Sequence, residues 1–155
     1  MKRFFLFTLT VLWATAFLGL TNTHAFKSDR DASYKIAGNI YGVAYVGLWY
    51  QAPYAKSNHY VTVSNYGNGT VKLYGDYWAR VTGPGWASNP KEDDDEMMVK
   101  VNQSRSPGRT FSFSLSGRPP ARYTISGWTT LRVRDDVNNT TVGWRADTSY
   151  SFRHE

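Results

Sequence analysis

Cysteine is absent from this 155-residue chain, and histidine occurs only three times. The first absence removes disulfides and thiolate chemistry, and the two together leave a zinc or other transition-metal site almost without ligands. Beyond the first 25 residues only His59 and His154 remain. A Ser-His-Asp arrangement would have to use His59, which stands at the mouth of an expected strand with no nucleophile motif around it, so it reads as a surface or strand-end residue. A two-histidine mechanism would need His59 and His154 to meet in space. No catalytic residue, metal ligand or cofactor is assigned, and the chain reads as non-enzymatic. After the first 25 residues no window holds helical periodicity for three turns, and there is no linker or low-complexity block.

The one long uncharged run is N-terminal. Lys2 and Arg3 precede Phe4 to Leu20, and Thr23-His24-Ala25 supplies a small-residue cleavage site, so residues 1–25 read as a secretory signal cut after Ala25. A membrane anchor is the alternative, since a run of about 17 residues is near the lower limit for spanning. The expected product is a secreted single domain of residues 26–155 with 16 basic and 12 acidic side chains, a net charge of +4. That excess favours anionic surfaces without choosing among headgroups, acidic glycans and nucleic acid.

What recurs is alternation of period two, which predicts an all-β, antiparallel β-sandwich. Strands are expected over Tyr34–Ile40, Tyr41–Tyr50, Tyr77–Val81, Met97–Val101, Thr110–Ser116, Tyr123–Arg134 and Thr141–Ala146, with a last one at Ser149–His154. Tyr60–Asn65 and Thr70–Tyr74, joined by Tyr66-Gly67-Asn68-Gly69, read as a hairpin because Asn-Gly tolerates the positive φ of a tight turn. In Tyr123–Arg134, Tyr123, Ile125, Leu131 and Val133 share one face, while Trp128, Arg132 and Arg134 share the other.

Lys91-Glu92-Asp93-Asp94-Asp95-Glu96 gathers five of the twelve acids and reads as a solvated loop, since it lacks the glycine and spacing of a calcium hand. Carboxylates from this run could pair with Asp76 or Asp147 in a hydrolase, although no spacing selects such a pair. Asn68, Asn102, Asn138 and Asn139 head glycosylation acceptor patterns.

Aromatics are abundant: residues 49–78 alone hold two Trp and six Tyr. On the expected hairpin Val61, Val63, Val71 and Leu73 claim the core face, leaving Tyr60, Tyr74 and Tyr66 opposite. Such rings serve cross-strand pairing, or else a membrane interface or sugar platform that wants an apolar body with a polar tip. Trp49, Tyr50, Tyr54, Tyr77, Trp78 and Trp86 fall at or beside expected strand ends. Trp128 with Arg132 and Arg134 would suit phosphate-bearing headgroups through cation–π contact and charge-assisted bonds.

The segments Pro107–Arg118 (PGRTFSFSLSGR) and Leu131–Tyr150 (LRVRDDVNNTTVGWRADTSY), with Tyr60–Trp78 (YVTVSNYGNGTVKLYGDYW) before them, resemble the aegerolysin family of small β-sandwich proteins. The likeness covers residues 60–150 and departs where Gly117-Arg118 runs into Pro119-Pro120. It implies binding to sphingolipid-containing membranes, sometimes with a separate pore-forming partner, and carries over Arg118 and Trp144. The ligand-binding residues expected are therefore Trp86, Arg118, Trp128, Arg132, Arg134 and Trp144. The expected role is binding of membrane lipid headgroups in a toxin, cytolysin or effector-like setting, with a protein partner or self-association on the membrane. A lectin-like protein that binds cell-surface glycan is the alternative, a hydrolase built on residues 92–96 ranks below both, and nucleic acid is disfavoured as a partner.

Overall fold

The computed structural model describes residues 26–33 and 39–155, without the side chains of residues 28–33. The expected leader, and all but the last two residues of the strand expected over Tyr34–Ile40, lie outside the described residues. Among the described residues the chain forms strands β1 (Phe26–Ser33), β2 (Ile40–Gln51), β3 (Tyr54–Asn65), β4 (Val71–Gly83), β5 (Trp86–Ala87), β6 (Lys91–Val99), β7 (Gln103–Arg105), β8 (Gly108–Ser114), β9 (Ala121–Asp135) and β10 (Thr140–His154). The first sheet runs β1-β2-β3, with β7 and β8 sharing the far edge of β3; the second runs β10-β9-β4, with β5 and β6 sharing the far edge of β4. Every pairing is antiparallel and the sheets pack face to face, so the expected β-sandwich is the fold.

Alternation decides which side chains meet between the sheets. Ile40, Val46, Leu48, Val61 and Val63 come from the first sheet, and Leu73, Val81, Ile125, Leu131 and Val133 from the second; all are buried. Each is worth about 1.5–3 kcal/mol against exposure, which is how the domain holds without disulfides. Tyr123, Ile125, Leu131 and Val133 point inward and Trp128, Arg132 and Arg134 outward, as the period of β9 requires.

The Gly67-Asn68-Gly69 segment corrects the sequence expectation. β3 and β4 do not pair; they lie in different sheets, and the segment is an arch between them. Asn65 organises it from a buried position: its Nδ2 donates to the Gly69 and Val99 carbonyls at 2.8 Å each, and its Oδ1 accepts from the Gly67 amide at 3.0 Å. The alternation on either side is real, but Val63 and Leu73 belong to opposing sheets. β3 instead makes its tight hairpin with β2, through Ala52-Pro53, which has a cis peptide bond.

The acidic run is likewise no loop. It forms edge strand β6 along β4, and strand geometry sends its carboxylates two ways. Asp93 and Asp95 receive Arg109 of β8, from the other sheet, and Asp95 also accepts from the Tyr77 hydroxyl at 3.1 Å. Arg109 holds the Asp93 carboxyl below its ordinary range, and burial, aided by Asp95, pushes the Tyr77 phenol up. Charges along an unpaired edge also discourage a further strand from adding there.

Candidate functional site

The six residues expected to bind ligand do not form one site. Trp86 follows the Pro84-Gly85 turn, where Gly85 takes φ +65°, the value such a turn asks of its second central residue. It packs edge-on to Tyr123, and the Arg118 guanidinium lies 4.1 Å from its ring centre. This cluster sits at one end of the sandwich. Trp144, on β10, also packs against the core but opposite Leu131, further along β9: its indole fills the space beside Gly42 of β2, where a Cβ would come within 3.1 Å of the ring and 2.8 Å of Leu131.

Trp128, Arg132 and Arg134 do share a surface, the outer face of the second sheet, but each arginine stands beside a carboxylate. Arg132 is 3.6 Å from Asp76 and lies over the Tyr74 ring, and Arg134 is 2.6 Å from Asp136. The notable partner of Trp128 is Trp78, directly opposite on β4, with ring centres 6.2 Å apart and planes 9° from parallel. Arg145 of β10 lies 4.9 Å from the Trp128 ring centre. A cleft of about 460 Å³ opens on the β10 side, lined in part by Lys27, Ser126, Arg145, Asp147 and Ser149; another of about 360 Å³ opens toward β6, beside Asp76, Glu92 and Asp94. Sequence reasoning had both tryptophans but not their pairing, because β4 and β9 are far apart in the chain.

The outer face of the first sheet differs in kind. Trp49 faces Phe26 across β1 and β2, with ring centres 6.3 Å apart; Tyr45 stacks on Tyr60 at 4.5 Å; and Tyr41 meets Tyr66 edge-on at 6.2 Å. Gly47 lets this surface lie flat, since a Cβ there would stand 2.6 Å from the Tyr45 hydroxyl and 2.8 Å from the Phe26 ring. Lys56 sits among these rings, 5.8 Å from the Tyr54 ring centre.

His59 is not a surface residue. It is fully buried on β3, with Nδ1 2.9 Å from Thr129 Oγ1 and Nε2 2.8 Å from Ser57 Oγ. The Thr129 hydroxyl donates to the Tyr45 carbonyl at 2.8 Å, so it accepts from Nδ1–H and leaves Nε2 to accept from Ser57. Burial lowers the His59 pKa to about 4, a hydrogen bond with the Trp128 backbone opposing it. A Ser-His pair thus exists, but it is sealed between the sheets from any substrate. His154 bonds Tyr50 Oη at 2.7 Å instead, so the two histidines share no partner. Among the described residues no group of three or more acidic, histidine or cysteine side chains is arranged to hold a metal ion. The acceptor asparagines Asn68, Asn102, Asn138 and Asn139 are all exposed.

No family model matches the chain, and no curated protein sequence matches it. Among solved structures it is similar to a protein from Archaeoglobus fulgidus, at 8% identity and TM-score 0.38, covering 84% of this chain and 100% of that one. A structural-genomics target is similar at 12% identity and TM-score 0.31, over 85% of each chain. A β-glucosidase from Kluyveromyces marxianus in complex with glucose is similar at 8% identity and TM-score 0.24, over 84% of this chain but 15% of the enzyme. At such scores these likenesses lend no weight to a reading of function.

Proposed function

We propose that this is a secreted, non-enzymatic protein that attaches to membrane surfaces through the outer face of its first sheet, in a cytolysin- or effector-like role. One observation carries the reading. The aromatic rings most exposed among the described residues are Phe26 (54%), Tyr41 (39%), Tyr54 (43%) and Tyr66 (54%), and all four lie on or beside that face. Half-buried Trp49, Tyr45 and Tyr60 fill the space between them. Tyrosine and tryptophan suit the boundary between headgroups and acyl chains, with the ring in the apolar layer and the polar tip in water. The described side chains of this face include Lys56 and no carboxylate, so an anionic headgroup meets no repulsion there. A row of rings along the sheet also matches a flat partner better than a point ligand.

This moves the lipid contact away from Trp128, Arg132 and Arg134, since each arginine stands beside a carboxylate that repels an anionic headgroup. The test is co-sedimentation of residues 26–155 with phosphatidylcholine vesicles, with and without phosphatidylserine. The double variant Phe26→Ala/Trp49→Ala is expected to stay in the supernatant while Arg132→Gln/Arg134→Gln pellets like the parent. Undiminished pelleting of the ring-deleted protein, or no pelleting of the parent, overturns the reading.

A further inference from the structure

The opposite face of the sandwich carries a second recognition surface of different chemistry. Trp78 and Trp128 stand side by side on neighbouring strands; the cleft toward β10 is lined by hydroxyls and by both signs of charge, and the cleft toward β6 by carboxylates. Cross-strand pairing alone would explain two stacked rings, but it does not call for a cleft on each side with polar groups along its wall. We propose that the outer face of the second sheet is a glycan-binding groove for an uncharged oligosaccharide, with the apolar face of a pyranose ring packing against the Trp78–Trp128 pair in place of the Arg145 guanidinium, which lies 4.9 Å from the Trp128 ring centre and turns to the sugar hydroxyls.

The polar groups are placed to serve sugar hydroxyls. Arg145 Nε and Asp147 Oδ2 are 3.5 Å apart, and Arg132 Nη2 and Asp76 Oδ2 are 3.6 Å apart. The Arg132–Asp76 separation exceeds a tight charge-assisted hydrogen bond, so a hydroxyl can donate to that carboxylate and accept from that guanidinium without displacing either. Ser126 and Ser149 face each other on β9 and β10 and add two donors to the first cleft.

The distribution of charge selects the class of sugar. An anionic chain entering from the Lys27 and Arg145 side would run onto Asp76, Glu92 and Asp94 beyond Trp128, and a cationic chain would meet the reverse order. An uncharged chain offends neither end. The outer face of the first sheet takes no part, so this site stands or falls independently of the membrane reading.

The test uses residues 26–155 and a panel of uncharged linear hexasaccharides, including cellohexaose, laminarihexaose, maltohexaose, mannohexaose and N-acetylchitohexaose, followed by calorimetry and tryptophan emission. At least one member is expected to bind saturably, with an affinity unchanged between 0.05 and 0.5 M salt. Trp128→Ala is expected to weaken it by about tenfold or more. Because Trp128→Ala also removes a half-buried ring, Trp128→Phe and the exposed Asp147→Asn accompany it; the first is expected to keep part of the affinity and the second to lose several-fold with the thermal midpoint unchanged. Phe26→Ala/Trp49→Ala is expected to bind sugar as the parent does. No binding to any member of the panel, binding that survives both Trp128 and Asp147 substitutions, or binding confined to a charged control such as a heparin hexasaccharide overturns the proposal.

Discussion

His59 Nδ1 and Thr129 Oγ1, 2.9 Å apart, join the two sheets by a hydrogen bond between strands β3 and β9 at the centre of the sandwich. Nδ1–H donates to Thr129 in either charge state, but the Ser57 hydroxyl donates to Nε2 and that bond needs a neutral imidazole.

Stability should therefore fall with pH in a defined window. The folded pKa is depressed to about 4 while the unfolded chain titrates near 6.5, so between these values the unfolded state binds more protons. The His59 contribution is complete above about pH 6.5 and is lost as pH falls toward 4, amounting to about 3 kcal/mol. Urea unfolding at pH 7.5, 6, 5 and 4 should show this slope in the parent. His59→Gln should show a flatter one, and equal slopes would remove histidine as the cause.

Asp95 accepts from Arg109 of the other sheet and from Tyr77, and its side chain is only 16% exposed. Asp95→Asn is expected to lower stability by about 1–2 kcal/mol, whereas Asp94→Asn, exposed on the opposite face of β6, should change it by less than about 0.5 kcal/mol. Denaturant midpoints of the two variants, measured side by side, decide this.

Asn65→Ala leaves the Gly69 and Val99 carbonyls and the Gly67 amide without their side-chain partner. About 3 kcal/mol of destabilisation is expected, and calorimetric melting of this variant against Asn68→Ala, in the same arch but exposed, should separate a large fall in midpoint from almost none.

Gly42→Ala should cost about 1–2 kcal/mol, because the new methyl reaches Leu131 and the Trp144 indole at less than ordinary contact distance. Vesicle pelleting by this variant, assayed below its melting temperature, should match the parent. A loss of pelleting without loss of structure would return Trp144 to the ligand-binding residues.

Side-chain facing was legible in the sequence. The alternation in Tyr123–Arg134 places Trp128 and Arg132 outward and Ile125 and Leu131 inward, and the structure agrees because the period of two is a property of the strand itself. Which strand lies beside which was not legible. Tyr66-Gly67-Asn68-Gly69 carries hairpin chemistry yet spans two sheets, since the buried amide of Asn65 supplies the bonds that pairing would otherwise have made. The acids of β6 looked like a loop because partners such as Arg109 lie in a distant segment. The Trp78–Trp128 pair was hidden for the same reason: each tryptophan sat at an outward position, and only the register of β4 on β9 made them neighbours.

The arch after Asn65 also sets an order of events during synthesis. β2 and β3 can close on each other as soon as Asn65 emerges, joined by the short Ala52-Pro53 turn. β4 follows directly but belongs elsewhere, and its inner partner β9 arrives only with residues 121–135. In that interval one edge of β4 has no β9 beside it, while the strands first offered to β4 are the two-residue β5 and then the acidic β6. Non-local pairing of this kind is slow and leaves apolar strands open to wrong partners. The carboxylates of Glu92 to Glu96 enter the chain within that interval and place charge beside β4 before β9 is made.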